Sequence, residues 1–430
     1  LVDASNPDAP AKRPAFDHER LATALNTATN RRHTGVTLPF STFSFVNGDQ
    51  GISFSADSAT WTCTLADYAC TRVAGQGGGR GGHGGGTGQG AANSAADAGV
   101  ASPDGKLVAY VNNHNVFVRG ASSRPTDGIA LSRDGSEGNP FTQQSIAWSP
   151  DSKRLSAYRV RPGYQRMVRY VVSSPPDQVQ PKTFERFYAK PGDVLDLQQP
   201  ALFDVAARRQ VNVDNALFPD PFGLTGIQWR RDGRAFTFEY NQRGHQRYRV
   251  IEVNATTGAA RALVDEVSTT FIDYRRAAGT LDGGGRVYRY DANDGSEIIW
   301  LSERDGWAHL YLYDGATGTV KNQITKGPFV VRAVQRVDTV RRQIVFSAGG
   351  MDPRQDPYFA HYYRVNFDGS DLTPLTQAEA DHVVTLSPDG QLYVDKWSRV
   401  DLAPVAQLRR VSDGAVLMDL ERGDLTALAR

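Results

Sequence analysis

The feature that most constrains this chain is a recurring turn in which an acidic residue precedes an apolar strand. Its clearest copies read Ser-Pro-Asp-Gly at 102–105, Trp-Ser-Pro-Asp-Ser at 148–152 and Ser-Pro-Asp-Gly at 387–390. A repeat with a period of roughly 40–50 residues predicts one supersecondary unit used many times. The acidic positions are Asp57, Asp104, Asp151, Asp232, Asp294, Asp338 and Asp389.

Residues 297–325 show what one repeated unit contains. Apolar and β-branched runs at 298–301, 310–313 and 320–324 are separated by turn sequences, the first of which ends in Asp-Gly. Such runs predict an antiparallel meander, which cannot bury its faces without neighbours of the same kind. The sequence therefore predicts an all-β fold, an eight-bladed β-propeller of four-stranded antiparallel blades. A β-sandwich with chance turn similarities is the alternative.

The propeller is expected to span residues 41–430, after an N-terminal lead-in at 1–40 that contains a short helix. Within residues 17–30, Leu21, Leu25 and Ala28 share one helical face. The glycine-rich stretch 75–90 predicts a mobile loop, and its Gly-x-Gly-x-x-Gly matches lack the strand-then-helix context of a nucleotide site. Residues 162–200, dense in proline and charge, predict an insertion that contacts a ligand, a sister domain or a second subunit.

Composition argues against several classes of partner. The net charge is +1 over 430 residues, so no overall field attracts nucleic acid or an acidic membrane surface. No apolar run is long enough for a transmembrane segment. We expect no cofactor, and no metal, since no His/Cys cluster accompanies the two cysteines.

The two cysteines, Cys63 and Cys70, flank a predicted turn at 65–68. Their spacing permits a disulfide across a hairpin, which suits an oxidising compartment. Two small, half-buried apolar side chains are the alternative.

Six segments occur in a fixed order: 148–159, 188–192, 300–311, 361–369, 385–390 and 411–420. Together they resemble the N-terminal propeller region of the dipeptidyl-peptidase IV family, in the prolyl oligopeptidase group of serine peptidases. The similarity extends over roughly residues 40–425. In that family an eight-bladed propeller covers a C-terminal α/β-hydrolase domain that carries the catalytic Ser, Asp and His.

The resemblance implies binding rather than catalysis for this chain. The sequence contains no Gly-x-Ser-x-Gly nucleophile elbow. We therefore expect no catalytic residue in this chain and a hydrolase domain elsewhere in the polypeptide. The family holds a peptide's N-terminus with two adjacent glutamates before the third blade. In this chain only Glu137 stands in that register, eleven residues before Trp148, and its neighbour is Gly138.

Two further candidates for substrate binding, Tyr274 and Arg275, match the family's second subsite loosely. The early arginine that holds a substrate carbonyl has no match in 45–52. The resemblance thus implies a peptide substrate, a periplasmic or secreted location, and a homodimer as one use of the insertion. A propeller that serves only as a binding or scaffold module is the competing hypothesis.

Overall fold

The computed structural model describes residues 1–4, 6, 9–56, 58–73, 99–274 and 286–426. Asp57, the glycine-rich stretch 75–90 and Arg275 lie outside these residues. The chain divides into two compact units: residues 1–86 with 417–420, and residues 87–416 with 421–430.

The first unit contains the predicted N-terminal helix, α1 (His18–Thr29), which is confirmed. Asp17 caps it by accepting a hydrogen bond from the backbone amide of Arg20 at 3.0 Å, and Leu21 and Leu25 are fully buried. The strands form a two-stranded sheet, β1–β2, and a four-stranded sheet in the order β3-β4-β5-β6. Their bounds are β1 (Val2–Asp3), β2 (Ala11–Lys12), β3 (Ser44–Val46), β4 (Gly51–Ala56), β5 (Ala59–Thr64) and β6 (Cys70–Val73).

The second unit is built from many short strands and two single-turn 3₁₀ helices, Pro125–Asp127 and Gln143–Ser145. The strands are β7 (Val100–Ala101), β8 (Leu107–Asn112), β9 (Asn115–Gly120), β10 (Ile129–Ala130), β11 (Ala147–Trp148), β12 (Arg154–Arg161), β13 (Met167–Val172), β14 (Lys182–Phe187), β15 (Leu197–Asp204), β16 (Arg209–Val211), β17 (Pro221–Leu224), β18 (Gln228–Trp229), β19 (Ala235–Gln242), β20 (Arg247–Asn254), β21 (Ala260–Val267), β22 (Arg289–Ala292), β23 (Glu297–Ser302), β24 (His309–Asp314), β25 (Thr319–Gln323), β26 (Val330–Asp338), β27 (Gln343–Gly349), β28 (His361–Asn366), β29 (Thr373–Pro374), β30 (Asp381–Leu386), β31 (Leu392–Arg399) and β32 (Leu402–Arg410), followed by β33 (Val416–Arg422), whose residues 417–420 belong to the first unit.

These strands pair almost entirely with their neighbours in the chain. The four-stranded sheets are β7 to β10, β22 to β25, β26 to β29, β30 to β33, and β11-β12-β15-β16, while β17 to β21 form a five-stranded sheet. All the registered pairs are antiparallel, for example Ile299 opposite Leu312 in β23 and β24. With β3 to β6, the described residues thus contain seven sheets of four or five strands. The all-β class is confirmed, and the number of eight blades stays a prediction.

The recurring acidic turn has a local physical cause. Ser149 Oγ donates to Asp151 Oδ1 at 2.6 Å and to the carbonyl of Arg154, while Oδ1 accepts the backbone amide of Lys153. Two side chains therefore satisfy the backbone where one strand reverses into the next. The same set of bonds occurs at Ser102 with Asp104 and at Ser387 with Asp389.

The largest core cluster lies among β20 to β28 and centres on fully buried residues such as Trp300, Leu310 and Phe346. The strands predicted at 298–301, 310–313 and 320–324 are observed as β23, β24 and β25 within a residue or so of each boundary. Between β12 and β15 the chain forms a separate two-stranded hairpin, β13–β14, inside the interval predicted as an insertion. No helix in the described part of the chain is long and apolar enough to cross a membrane.

Candidate functional site

Sheet topology puts two candidate segments at equivalent positions of the second unit. Successive strands of an antiparallel sheet run in opposite directions when they follow chain order. The turn between the second and third strands and the connection that leaves the fourth strand therefore lie at the same end of the sheet. Residues 131–146 connect β10 to β11, and residues 268–288 connect β21 to β22. The first segment carries Glu137 and the second carries Tyr274.

Glu137 lies at the tip of a narrow turn. Ser136 and Asn139 form an antiparallel bridge, with the amide of Asn139 donating to the carbonyl of Ser136 at 3.0 Å. This leaves Glu137 and Gly138 as the two residues at the tip, both exposed. Within the described residues, the Glu137 carboxylate takes part in no observed hydrogen bond or ion pair. It is an exposed negative charge on a short, bonded turn.

Arg159 of β12 holds the two arms of this turn. Its Nη1 atom lies 2.5 Å from Oδ2 of Asp134, and its Nη2 atom donates to the Asp134 carbonyl. Its Nε atom donates to the carbonyl of Asn139 at 3.2 Å. One guanidinium therefore contacts the chain on both sides of Glu137.

Tyr274 belongs to a partly exposed aromatic cluster. Its ring stacks on His245, with centroids 4.7 Å apart, and lies 6.0 Å from Phe222 and 5.9 Å from Phe271. Phe222 and Phe271 are each nearly half exposed. Burial lowers the pKa of His245 below its ordinary value, so at neutral pH its ring is uncharged and adds to the apolar surface.

A cavity of about 520 Å³ lies beside this cluster and shares Phe271 with it. In its wall the buried Glu266 carboxylate accepts hydrogen bonds from Arg304 Nη2 at 2.5 Å, Ser302 Oγ at 2.6 Å and Trp300 Nε1 at 3.2 Å. The lining residues are 266–273, Val287, 301–304 and Gly306.

Arg304 is held by aromatic residues as well as by charge. Its guanidinium donates to the Tyr313 hydroxyl at 2.5 Å and lies 4.5 Å from the ring centroid of Tyr311. Burial disfavours the charged guanidinium, but the bond to Tyr313 and the charge of Glu266 outweigh it and raise the pKa of Arg304. Burial is also the main cause that raises the pKa of Tyr311 to about 12. The cavity wall thus contains a Glu266–Arg304 ion pair that further hydrogen bonds hold in place.

This arrangement can bind a ligand. It offers an exposed carboxylate, an apolar aromatic surface and a polar cavity. In the part of the chain that the structure describes, no group of three His, Cys, Asp or Glu residues could hold a metal. No observed contact joins Glu137 to Tyr274.

Sequence reasoning missed several residues of the site. It interpreted 303–306 as a plain turn and assigned nothing to Arg304, Glu266 or His245. The available signal was the charged residue Arg304, two positions after Ser302 at the end of a strand. Its partner, Glu266, lies 38 positions away in the sequence.

Antiparallel sheets of four strands joined in series, with candidate binding surfaces on their connections, define a protein of the β-propeller class. A family model described as "Dipeptidyl peptidase IV (DPP IV) N-terminal region" matches residues 86–404. The chain therefore belongs to the dipeptidyl peptidase IV family and contains its N-terminal region.

Individual relatives agree with this assignment. The chain is 25% identical over 313 residues to a protein of Talaromyces marneffei named as a probable dipeptidyl-aminopeptidase B, covering 64% of this chain and 33% of that protein. It is 24% identical over 314 residues to the dipeptidyl peptidase 4 of Trichophyton equinum, covering 68% of this chain and 38% of the relative. The chain thus covers between 33% and 38% of the length of these two curated relatives.

The fold is also similar to a solved structure. The crystal structure of Porphyromonas gingivalis dipeptidyl peptidase 4 matches with a TM-score of 0.52, over 91% of this chain and 53% of that one. At 17% sequence identity this likeness concerns the fold alone.

Proposed function

We propose that this chain is the non-catalytic propeller region of a dipeptidyl-peptidase IV-like serine peptidase. It restricts access to a C-terminal α/β-hydrolase domain of the same polypeptide and binds the free N-terminus of a peptide substrate. Membership of the family supports the proposal, and so does the missing nucleophile elbow in these 430 residues.

The observation that carries the binding role is the Glu137 turn. A peptide's α-ammonium needs a carboxylate within hydrogen-bond distance, and a charge-assisted bond of this kind is stronger than a neutral one. Glu137 presents its carboxylate at the tip of a turn whose two arms are bonded to the adjacent strand. The aromatic cluster around Tyr274 supplies an apolar surface for a substrate side chain, and Arg275 follows it directly in the sequence.

Substitution of Glu137 tests this function. In the full-length protein, Glu137→Gln is expected to lower kcat/KM for Gly-Pro-p-nitroanilide roughly ten- to a hundredfold, because a charge-assisted hydrogen bond worth about 1.5–3 kcal/mol is lost. N-blocked substrates should change little. Glu379→Gln, at a half-exposed carboxylate paired with Arg399, is the matched control. An equal loss for free and blocked substrates contradicts the proposal and favours a propeller that acts as a scaffold without N-terminal recognition.

We also propose that the protein forms a homodimer through the β13–β14 hairpin. A lone two-stranded sheet is marginally stable in water and leaves both edges unpaired. Here Tyr170 stacks on Phe184 at 5.5 Å, and both rings are more than 40% exposed. A second copy covering this face explains why large apolar residues stand on an isolated hairpin. In a sedimentation experiment we expect the wild type to behave as a dimer and the double variant Tyr170→Ser/Phe184→Ser to behave as a monomer.

A periplasmic or secreted location completes the proposal. The structure joins Cys63 and Cys70 in a disulfide between β5 and β6. Disulfides persist in oxidising compartments and are rare in reducing ones, which supports this location. Fractionation of the source cells, with the protein recovered only in the cytosol, would contradict it.

A further inference from the structure

Arg159 joins the two ends of the Glu137 turn through a single side chain. Its ion pair with Asp134, at 2.5 Å, and its bond to the Asp134 carbonyl hold the arm that precedes Glu137. Its Nε bond to the Asn139 carbonyl holds the arm that follows. These partners lie 25 and 20 positions from Arg159 in the sequence, so the contact exists only in the folded unit.

The rest of the turn is anchored to neighbouring strands. The Gly135 amide donates to Oδ1 of Asn115 at 2.9 Å, and a Cβ at Gly135 would lie 2.0 Å from the carbonyl oxygen of His114. On the other arm, the Phe141 amide donates to the same His114 carbonyl at 3.1 Å. Residues 136–140 extend beyond these anchors, and Arg159 holds the base of that extension.

We infer that Arg159 is a positioning residue for the Glu137 carboxylate, with Asp134 as its counter-ion. This inference rests on the proposed function, because it assumes that Glu137 meets an ammonium group. A carboxylate on a loose loop loses conformational entropy when it binds, whereas a pre-positioned one does not. Asp134 neutralises the guanidinium, whose charge would otherwise repel a cationic ligand across the turn.

Kinetics on the full-length enzyme test the inference. Arg159→Lys keeps the charge but lacks the planar fork that reaches both arms. It is expected to raise KM for Gly-Pro-p-nitroanilide about tenfold, with a smaller change in kcat and none for the N-acetylated substrate. Asp134→Asn should also raise KM, most strongly at low salt, because the uncompensated charge is screened at high salt. Arg161→Lys, on the same strand and exposed, is the control and should behave as wild type.

Amide hydrogen exchange supplies a readout that does not depend on activity. A proteolytic fragment covering 132–141 should exchange faster in Arg159→Lys than in wild type, while the Tm and the exchange of β12 change little. Unchanged amide exchange in this fragment would contradict the inference that Arg159 holds the Glu137 turn in place. If the wild type shows no preference for free-amine substrates, both the proposed function and the role of Arg159 are contradicted. If wild type shows the preference and Arg159→Lys retains it, the positioning role alone is overturned.

Discussion

The rings of His361 and His382 lie 5.0 Å apart, centroid to centroid, between the sheets that contain β28 and β30. Both side chains are buried, and His382 Nδ1 lies 2.8 Å from Oδ1 of Asp395, which is also fully buried. Arg409 Nε lies 3.4 Å from the other oxygen of the same carboxylate. This small polar cluster sits inside a sheet unit whose other core residues are mostly apolar.

The cluster predicts that the second unit loses stability in mild acid. Burial, and next the proximity of His382, lower the pKa of His361, while Asp395, Asp352 and Asp381 act in the opposite direction. A histidine whose pKa is lower in the folded state adds stability above its ordinary pKa of 6.5, and that stability is lost as the pH falls below it. One proton contributes a slope of at most about 1.4 kcal/mol per pH unit.

Thermal unfolding between pH 7.5 and 5 measures this effect. His361→Gln should flatten the fall of Tm with acid. His114→Asn, at a left-handed position that tolerates asparagine, is the control and should leave the wild-type slope intact. Identical slopes for wild type and His361→Gln would show that other groups cause the acid sensitivity.

The ion pair in the cavity wall predicts a large loss of stability when one partner is removed. Arg304→Met leaves the buried Glu266 carboxylate without its cation, which costs roughly 3 kcal/mol in comparable buried pairs. Urea unfolding followed by circular dichroism measures the difference. Arg354→Met removes a cation from an exposed pair with Asp352 and should cost less than about 0.5 kcal/mol. Equal effects of the two substitutions would contradict the role assigned to Glu266 and Arg304.

These examples show which parts of the molecule could be predicted from the sequence. The strands at 298–301 and 310–313 were predictable because an Asp-Gly turn and a run of β-branched and aromatic residues act locally. The capped helix was predictable for the same reason. Arg159 of β12, in contrast, contacts Asp134 and Asn139 in the connection that precedes β11, and His245 contacts Tyr274 from a different connection. Such contacts depend on how strands pair, which no local pattern encodes. Glu137 was found only through its spacing from Trp148.

The disulfide predicts a local stability effect in the first unit. Cys63 and Cys70 are seven positions apart and face each other in β5 and β6. Closing a loop of this length removes unfolded-state entropy worth roughly 2.5 kcal/mol. Cys63→Ala/Cys70→Ala should therefore lower the stability of this unit by about that amount, measured by urea unfolding with the fluorescence of Trp61, which lies two residues from Cys63. Comparison of the double variant with reduced wild type controls for lost packing, because Cys63 is fully buried and keeps its side chain when the disulfide is reduced. If reducing agent leaves the wild-type unfolding curve unchanged, the disulfide is not a stabilising element.

The turn at Glu137 has room for a second carboxylate. A Cβ at Gly138 would meet no atom within 4 Å, and Gly138 is not among the glycines with positive φ, so an L side chain fits there without strain. Gly138→Glu in the full-length protein would place two carboxylates side by side at the tip, as the family's glutamate pair does. We expect a lower KM for free-amine dipeptide substrates, because two acceptors hold an ammonium better than one.

Repulsion between the two carboxylates opposes this gain at high pH and low salt, so the improvement should be measured near pH 7 at moderate ionic strength. Gly138→Gln supplies a side chain of the same shape without the charge and is the matched control. If Gly138→Glu and Gly138→Gln give the same KM, the turn does not meet the substrate's ammonium, and the binding role of Glu137 must be abandoned.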